Sequence, residues 1–149
     1  MSNPSKTISI IVPVYFNEES LPILFNRLQN IEKELNKKDV GLELIFIDDG
    51  SYDNSFQVLK SIKKQRPETK IAKLTKNFGG LACSWTGFSF ATGDCVAQLA
   101  ADLQDPPEHL LNMFEAWEKG HKLVFANRHS RKDHLLTKLF ASVYYKILR

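Results

Sequence analysis

The stretch "AADLQDPPEHL", Ala100 to Leu110, sets two carboxylates and an amide directly after an apolar run and then interrupts the chain with paired prolines. Asp102, Gln104 and Asp105 offer oxygen. Hard divalent cations such as Mg²⁺ or Mn²⁺ prefer that donor and commonly take their other ligands from water and substrate phosphates. A cation held there would neutralise a diphosphate leaving group as its bond to carbon breaks. Asp102 could also cap the following helix, but its place deeper in the strand end favours the metal. Asp105, directly before the prolines, reads as the cap of a helix that begins near Pro106.

Two other places carry polar groups at the end of an apolar run. In "PVYFNEE" the run ends in an aromatic ring, an amide and two acids, and Glu18 and Glu19 would also serve as favourable charges at a helix N-terminus. In "DDGSYDNS", Asp48 and Asp49 stand side by side before Gly50. They either shape a turn, with Ser51 or Asp53 capping the next helix, or face a ligand donor such as an imide N–H or a ribose hydroxyl. Without a donor opposite them, adjacent carboxylates repel. No G-x-G-x-x-G follows the first apolar run and no G-x-x-x-x-G-K-[ST] occurs, which argues against a dehydrogenase and a P-loop enzyme.

The elements that must position these groups alternate. "ISIIVPVY" (Ile8 to Tyr15) is a nearly continuous apolar run, the pattern of a strand buried on both faces. Ser20 to Lys37 carries Leu21, Leu24, Leu28, Ile31 and Leu35 at helical spacing. "LELIFIDDG" predicts a second strand, Asn54 to Gln65 a second helix, "KIAKLT" a third strand and Gly80 to Ala91 a third helix. "DCVAQLAADL" predicts a fourth strand, Pro107 to Lys119 a fourth helix with Leu110, Leu111, Phe114 and Trp117 on its apolar face, and "KLVFANR" a fifth strand. This alternation predicts an α/β fold, an open, mostly parallel sheet with helices on both faces, in one domain over residues 1–149. Ligands of such sheets bind beyond the carboxyl ends of the strands, where the acids and amides fall.

At 149 residues and 43% hydrophobic side chains, the chain has enough apolar material for a core. Its net charge of +3 does not announce a nucleic-acid binder, but it is unevenly spread: Arg128 to Arg149 holds six cations against Asp133, a net of +5, leaving −2 for the rest. Cys83 and Cys95 have no metal-ligand spacing and read as reduced core thiols. The N-terminus lacks the blocks of a signal peptide, and no apolar run approaches the ~18 residues of a transmembrane helix.

Taken together and in order, "IIVPVYFNEES", "LIFIDDGSYDNS", "TKNFGG", "ADLQDPPE" and "FANRHSR" resemble the nucleotide-sugar-binding domain of the inverting family 2 glycosyltransferases with the GT-A fold. More narrowly they resemble the branch that glycosylates polyprenyl phosphates. The resemblance runs from about Ile8 to the end of the chain. It implies that Pro13, Tyr15 and Glu18 form the first nucleotide-contacting loop, with Tyr15 near the base. One of Asp48 and Asp49 would contact the base, and Asn77 and Gly79 would lie beside the nucleotide. Asp102 and Gln104 would be metal-associated, and Arg128 and Arg131 would lie near the donor diphosphate and the lipid phosphate. Ala100 departs from the family's frequent Asp-x-Asp, so Asp102 and Gln104 would have to hold Mg²⁺ or Mn²⁺ with the diphosphate and water alone.

The implied reaction moves a hexose, from a UDP-sugar, to a polyprenyl phosphate with inversion. A phosphate acceptor is largely dianionic at neutral pH and needs positioning rather than a base; His129 reads as a loop histidine. In residues 133–149, Leu135, Leu136, Leu139, Phe140, Val143, Tyr144, Ile147 and Leu148 form an apolar stripe flanked by Lys138, Lys146 and Arg149. That pattern suits either an amphipathic helix packed on the domain or another subunit, or an interfacial helix on an anionic membrane surface; the resemblance favours the second, at the cytoplasmic face. The resemblance also makes the chain the N-terminal part of a longer membrane-associated protein, and a homo-oligomer is compatible with it. Two other readings stand beside this one: a family 2 transferase acting on a saccharide hydroxyl, and a noncatalytic nucleotide-sugar-binding scaffold.

Overall fold

The computed structural model describes residues 4–126. Its elements alternate as the sequence predicts: β1 (Lys6–Val14), α1 (Ser20–Asn36), β2 (Val40–Asp48), α2 (Ser55–Gln65), β3 (Lys70–Lys73), α3 (Gly80–Phe90), β4 (Cys95–Gln98) and α4 (His109–Glu118). The four strands are parallel in the order β3-β2-β1-β4. The chain therefore winds outward from β1 through β3 and then crosses back to lay β4 on the other side of β1. The switch falls between β1 and β4, where an open α/β sheet leaves a crevice at its carboxyl edge.

β1 and β2 carry near-continuous apolar runs because both of their faces are covered. On one face Ile8, Ile10, Val12 and Val14 pack with Leu42, Leu44 and Phe46 against the buried stripes of α1, α2 and α4. On the other, Ile11, Ile45 and Ile47 meet Cys83 of α3.

Below that second cluster the same face is polar. Glu43 of β2 accepts hydrogen bonds from Ser9 of β1, Lys70 of β3 and the N–H and Oγ1 of Thr92, the last two at 2.9 and 2.7 Å. Burial alone would raise the Glu43 carboxyl, but these donors outweigh it and bring it down to about 2. Its ordinary value in an unfolded chain is about 4.3, so the stabilisation is complete above that value and is lost as pH falls from about 4.3 toward 2. Glu43→Gln is expected to destabilise the protein by about 2 kcal/mol at neutral pH. The gap between mutant and wild-type melting temperatures should close between pH 5 and pH 2.5; a gap independent of pH would show that the carboxylate's charge contributes nothing.

Three sequence expectations are corrected. β4 is four residues long, not ten, so Asp102 lies in the loop beyond the strand rather than in its end. Leu99 and Ala101 are apolar because they are buried in the core cluster with α4, although only Leu99 continues the backbone pairing, its N–H donating to Ile11 O at 3.0 Å. The fourth helix begins at His109, because Pro106, Pro107 and Glu108 first fold a turn in which His109 N–H donates to Pro106 O and Leu110 N–H to Pro107 O. Asp105 is therefore not its N-cap. Lys122 to Ala126 pair with no strand among the described residues. The remaining residues of "KLVFANR", Arg128, His129, Arg131 and the expected amphipathic helix over 133–149 lie outside the described residues.

Candidate active-site cleft

The carboxyl ends of β1, β2 and β4 open into a cleft of about 630 Å³. Its β1 wall is Pro13, Tyr15 and Asn17, its floor Asp49 and Cys83, its α3 wall Asn77, Gly79 and Gly80, and its β4 wall Gln98, Ala100, Asp102 and Asp105. Six residues expected from the sequence are thus brought together: Pro13, Tyr15, Asp49, Asn77, Gly79 and Asp102.

The loops around the cleft are fastened to one another. After β1 the chain turns at Phe16, whose φ of 54° is left-handed. Its N–H donates to Ser51 Oγ at 3.1 Å, and the Asn17 N–H to Ser55 Oγ at 2.8 Å. This tight turn leaves the Tyr15 ring 42% exposed at the cleft, edge-on to Phe16 at 4.4 Å. Such a ring offers a face on which a planar base can stack.

The acid pair divides its work. Asp48, the last residue of β2, is wholly buried and turns away from the cleft. Its Oδ1 accepts the Ser51 N–H at 3.2 Å, and Lys73 Nζ stands 3.4 Å from Oδ2. That separation is an ion pair without a good hydrogen bond, in keeping with the absence of any donor on Oδ2 among the described residues. Asp49 faces the cleft, and its two oxygens accept the N–H groups of Phe78 and Gly79 at 2.8 and 2.9 Å. The sequence argument required a donor opposite the pair, and the protein supplies it from its own loop and Lys73 rather than leaving it to a ligand.

Gly79 is held at φ 89° and ψ 159°, a region essentially closed to side chains, by sharing its N–H between Asp49 and Asn77 Oδ1. A Cβ there would meet nothing within 4 Å, so the backbone borders open cleft. It also starts α3, whose N-terminal residue Gly80 lines the cleft as well. Beneath the two glycines burial pushes the Cys83 thiol up to about 12, with the Asp49 carboxylate adding to the shift. Cys83 therefore remains a thiol and is no nucleophile.

Three expected residues are not brought to the cleft. Glu18 accepts the Asn54 N–H at 2.7 Å and donates its own N–H to Asp53, so it fastens two loops together. Asp48 is buried behind Asp49. Gln104 contributes its backbone, donating N–H to Asp102 Oδ1 at 3.1 Å across Leu103, which sits at φ 62°; its side chain does not line the cleft. Arg128 and Arg131 lie outside the described residues. Sequence reasoning missed Gln98, although an amide in the apolar strand "CVAQLA" was a signal for it, and it misassigned Asp105.

The metal expectation is matched by the donor set only in a particular form. Among the described residues no three His, Cys, Asp or Glu side chains gather into a cage. What the cleft offers is Asp102, with one oxygen engaged by Gln104 N–H, and Asp105 on the same wall. Such a set suits a cation that arrives largely ligated by phosphate and water, the habit of Mg²⁺ and similar ions.

A model of glycosyl transferase family 2 matches residues 9–147. An undecaprenyl-phosphate 4-deoxy-4-formamido-L-arabinose transferase of Photorhabdus laumondii is 36% identical over 93% of this chain and 42% of its own length. The chain spans less than half the length of the curated relatives it matches. Among solved structures, S. aureus TarS 1-349 in complex with UDP-GlcNAc superposes with a TM-score of 0.60 at 22% identity, over 85% of this chain and 37% of that one. The mannosyltransferase PcManGT of Pyrobaculum calidifontis, in complex with GDP-Man and Mn²⁺, superposes with 0.53 at 24%, over 73% and 32%.

Proposed function

The chain belongs to glycosyl transferase family 2 and has its GT-A sheet, and from that premise we propose that it binds a UDP-hexose for inverting transfer to a polyprenyl phosphate at the cytoplasmic membrane face. The observation that carries the donor half is the single cleft in which Tyr15, Asp49, Asn77, Gly79 and Asp102 converge. Tyr15 stacks on the base, and Asp49 accepts its imide N–H while keeping the Phe78 and Gly79 amides. Pro13 and Gly79 border the nucleotide closely. The diphosphate lies toward the α3 N-terminus and Asp102. The acceptor half is supported by the undecaprenyl-phosphate transferase relative, and the membrane assignment by the basic, apolar sequence of residues 133–149.

In the reaction an acceptor phosphate oxygen attacks the anomeric carbon from the face opposite the nucleotide. The new C–O bond forms as the bond to the diphosphate breaks, and the electron pair departs with UDP. Mg²⁺ or Mn²⁺, when bound, supplies positive charge that offsets what builds on the departing diphosphate. Asp102 would hold it together with the diphosphate and water; the Gln104 side chain does not line the cleft. Arg128 and Arg131 are assigned to the donor diphosphate and the lipid phosphate. No base is required, because the acceptor phosphate is already ionised.

Incubation of the protein with UDP-[¹⁴C]glucose, Mn²⁺ and undecaprenyl phosphate in detergent should move label into the organic phase, with loss of transfer on Arg128→Ala or Arg131→Ala. Label appearing on a saccharide hydroxyl and none on lipid would replace the acceptor. GDP-mannose serving where UDP-sugars fail would replace the donor.

A further inference from the structure

We propose that Gln98 contacts the sugar of the donor and contributes to its selection, an inference that rests on the donor reading above. Gln98 is the last residue of β4 and pairs in register with Ile11 of β1. Strand alternation puts it on the face of Val96, away from Ala97, which packs against the core. The amide is exposed, lines the cleft, and has no hydrogen-bond partner among the described residues.

Its position says which part of a ligand it meets. Gln98, Ala100 and Asp105 line both the cleft and an apolar cavity on the outer side of β4, bounded by Val96, Leu110 and Leu123. They are therefore the wall of the cleft farthest from β2 and Asp49. With the base toward Tyr15 and Asp49 and the diphosphate at Asp102, that outer wall is where the sugar lies. Ala100, on the same wall, adds only a methyl group beside the amide. A neutral amide offers donors and an acceptor but no charge, a set suited to hydroxyl groups rather than to phosphate or a metal ion.

The test is titration calorimetry of wild type and Gln98→Ala in Mn²⁺ with UDP and UDP-glucose, and with GDP and GDP-mannose. The expected result is that Gln98→Ala weakens the nucleotide-sugar by about fivefold to tenfold and leaves the free nucleoside diphosphate unchanged. A glucose-deoxygenated UDP-sugar should lose affinity for wild type but not for Gln98→Ala, which identifies the hydroxyl. Equal weakening of nucleotide and nucleotide-sugar would put Gln98 on the nucleotide and overturn the inference, as would unchanged binding of both. A folded wild-type chain that binds none of the four ligands would overturn the donor reading itself, an outcome distinct from either.

Discussion

Asp102→Asn is expected to lower the affinity for UDP in the presence of Mn²⁺ by about 100-fold, near 2.7 kcal/mol, down to the level measured for wild type in EDTA. The size of the effect follows from how little else the cleft offers. Where family 2 sequences often carry a second acid, this chain has Ala100, so the loss of one carboxylate cannot be shared with a neighbour two residues away. Asn keeps an oxygen able to accept the Gln104 N–H, which preserves the turn at Leu103, and removes only the charge. The mutant should therefore melt with wild type. Titration with and without EDTA separates the outcomes: a mutant that still gains affinity from Mn²⁺ would show that Asp102 is not the ligand. Loss on Asp105→Asn alone would move the metal one turn of chain toward α4.

How far these residues were legible in advance depends on the range of the contacts that fix them. β1, β2 and α1 were readable because their signal is local: near-continuous apolar runs broken mainly by Ser9 and Glu43, or leucines at helical spacing. The rule that ligands gather at carboxyl ends then located the cleft without any coordinates. What failed was decided by contacts distant in sequence. Leu99 and Ala101 look like strand because they are apolar, yet it is packing with Leu110 and Phe114 of α4 that buries them. Glu18 looks like a ligand contact because it follows Tyr15, but its partner is Asn54, 36 residues on. No periodicity could tell which of Asp48 and Asp49 faces the cleft, because the donors that settle it come from Phe78 and Gly79, some 30 residues away. Gln98 differs from these: its polarity in an apolar strand was visible, and only a family pattern that places acids further along drew attention past it.

Those long-range clasps make Gly50→Ala the substitution expected to do most harm to fold and site together. Gly50 lies in the turn after the acid pair at φ 72°, a conformation that costs a residue with a side chain about 1–2 kcal/mol. A Cβ there would also stand 2.6 Å from the Lys76 carbonyl carbon and 2.8 Å from its Cα, and neither backbone atom is free to rotate away. Relief requires the Lys76–Asn77 segment to withdraw, which pulls on the hydrogen bonds from Phe78 and Gly79 to Asp49 and displaces Asn77 from the cleft. A total of about 3–4 kcal/mol is expected, which for a chain of this size lowers the melting temperature by roughly 10 °C. UDP affinity measured well below that temperature should fall with it. Gly79→Ala supplies the contrast: at φ 89° and ψ 159° its backbone strain is at least as large, about 1–3 kcal/mol, but a Cβ meets nothing within 4 Å, so it carries strain without the collision. Gly50→Ala should therefore be clearly the less stable of the two. Equal melting temperatures would mean that strain alone decides, and that the approach of the two loops at Gly50 is not what holds the nucleotide wall in place.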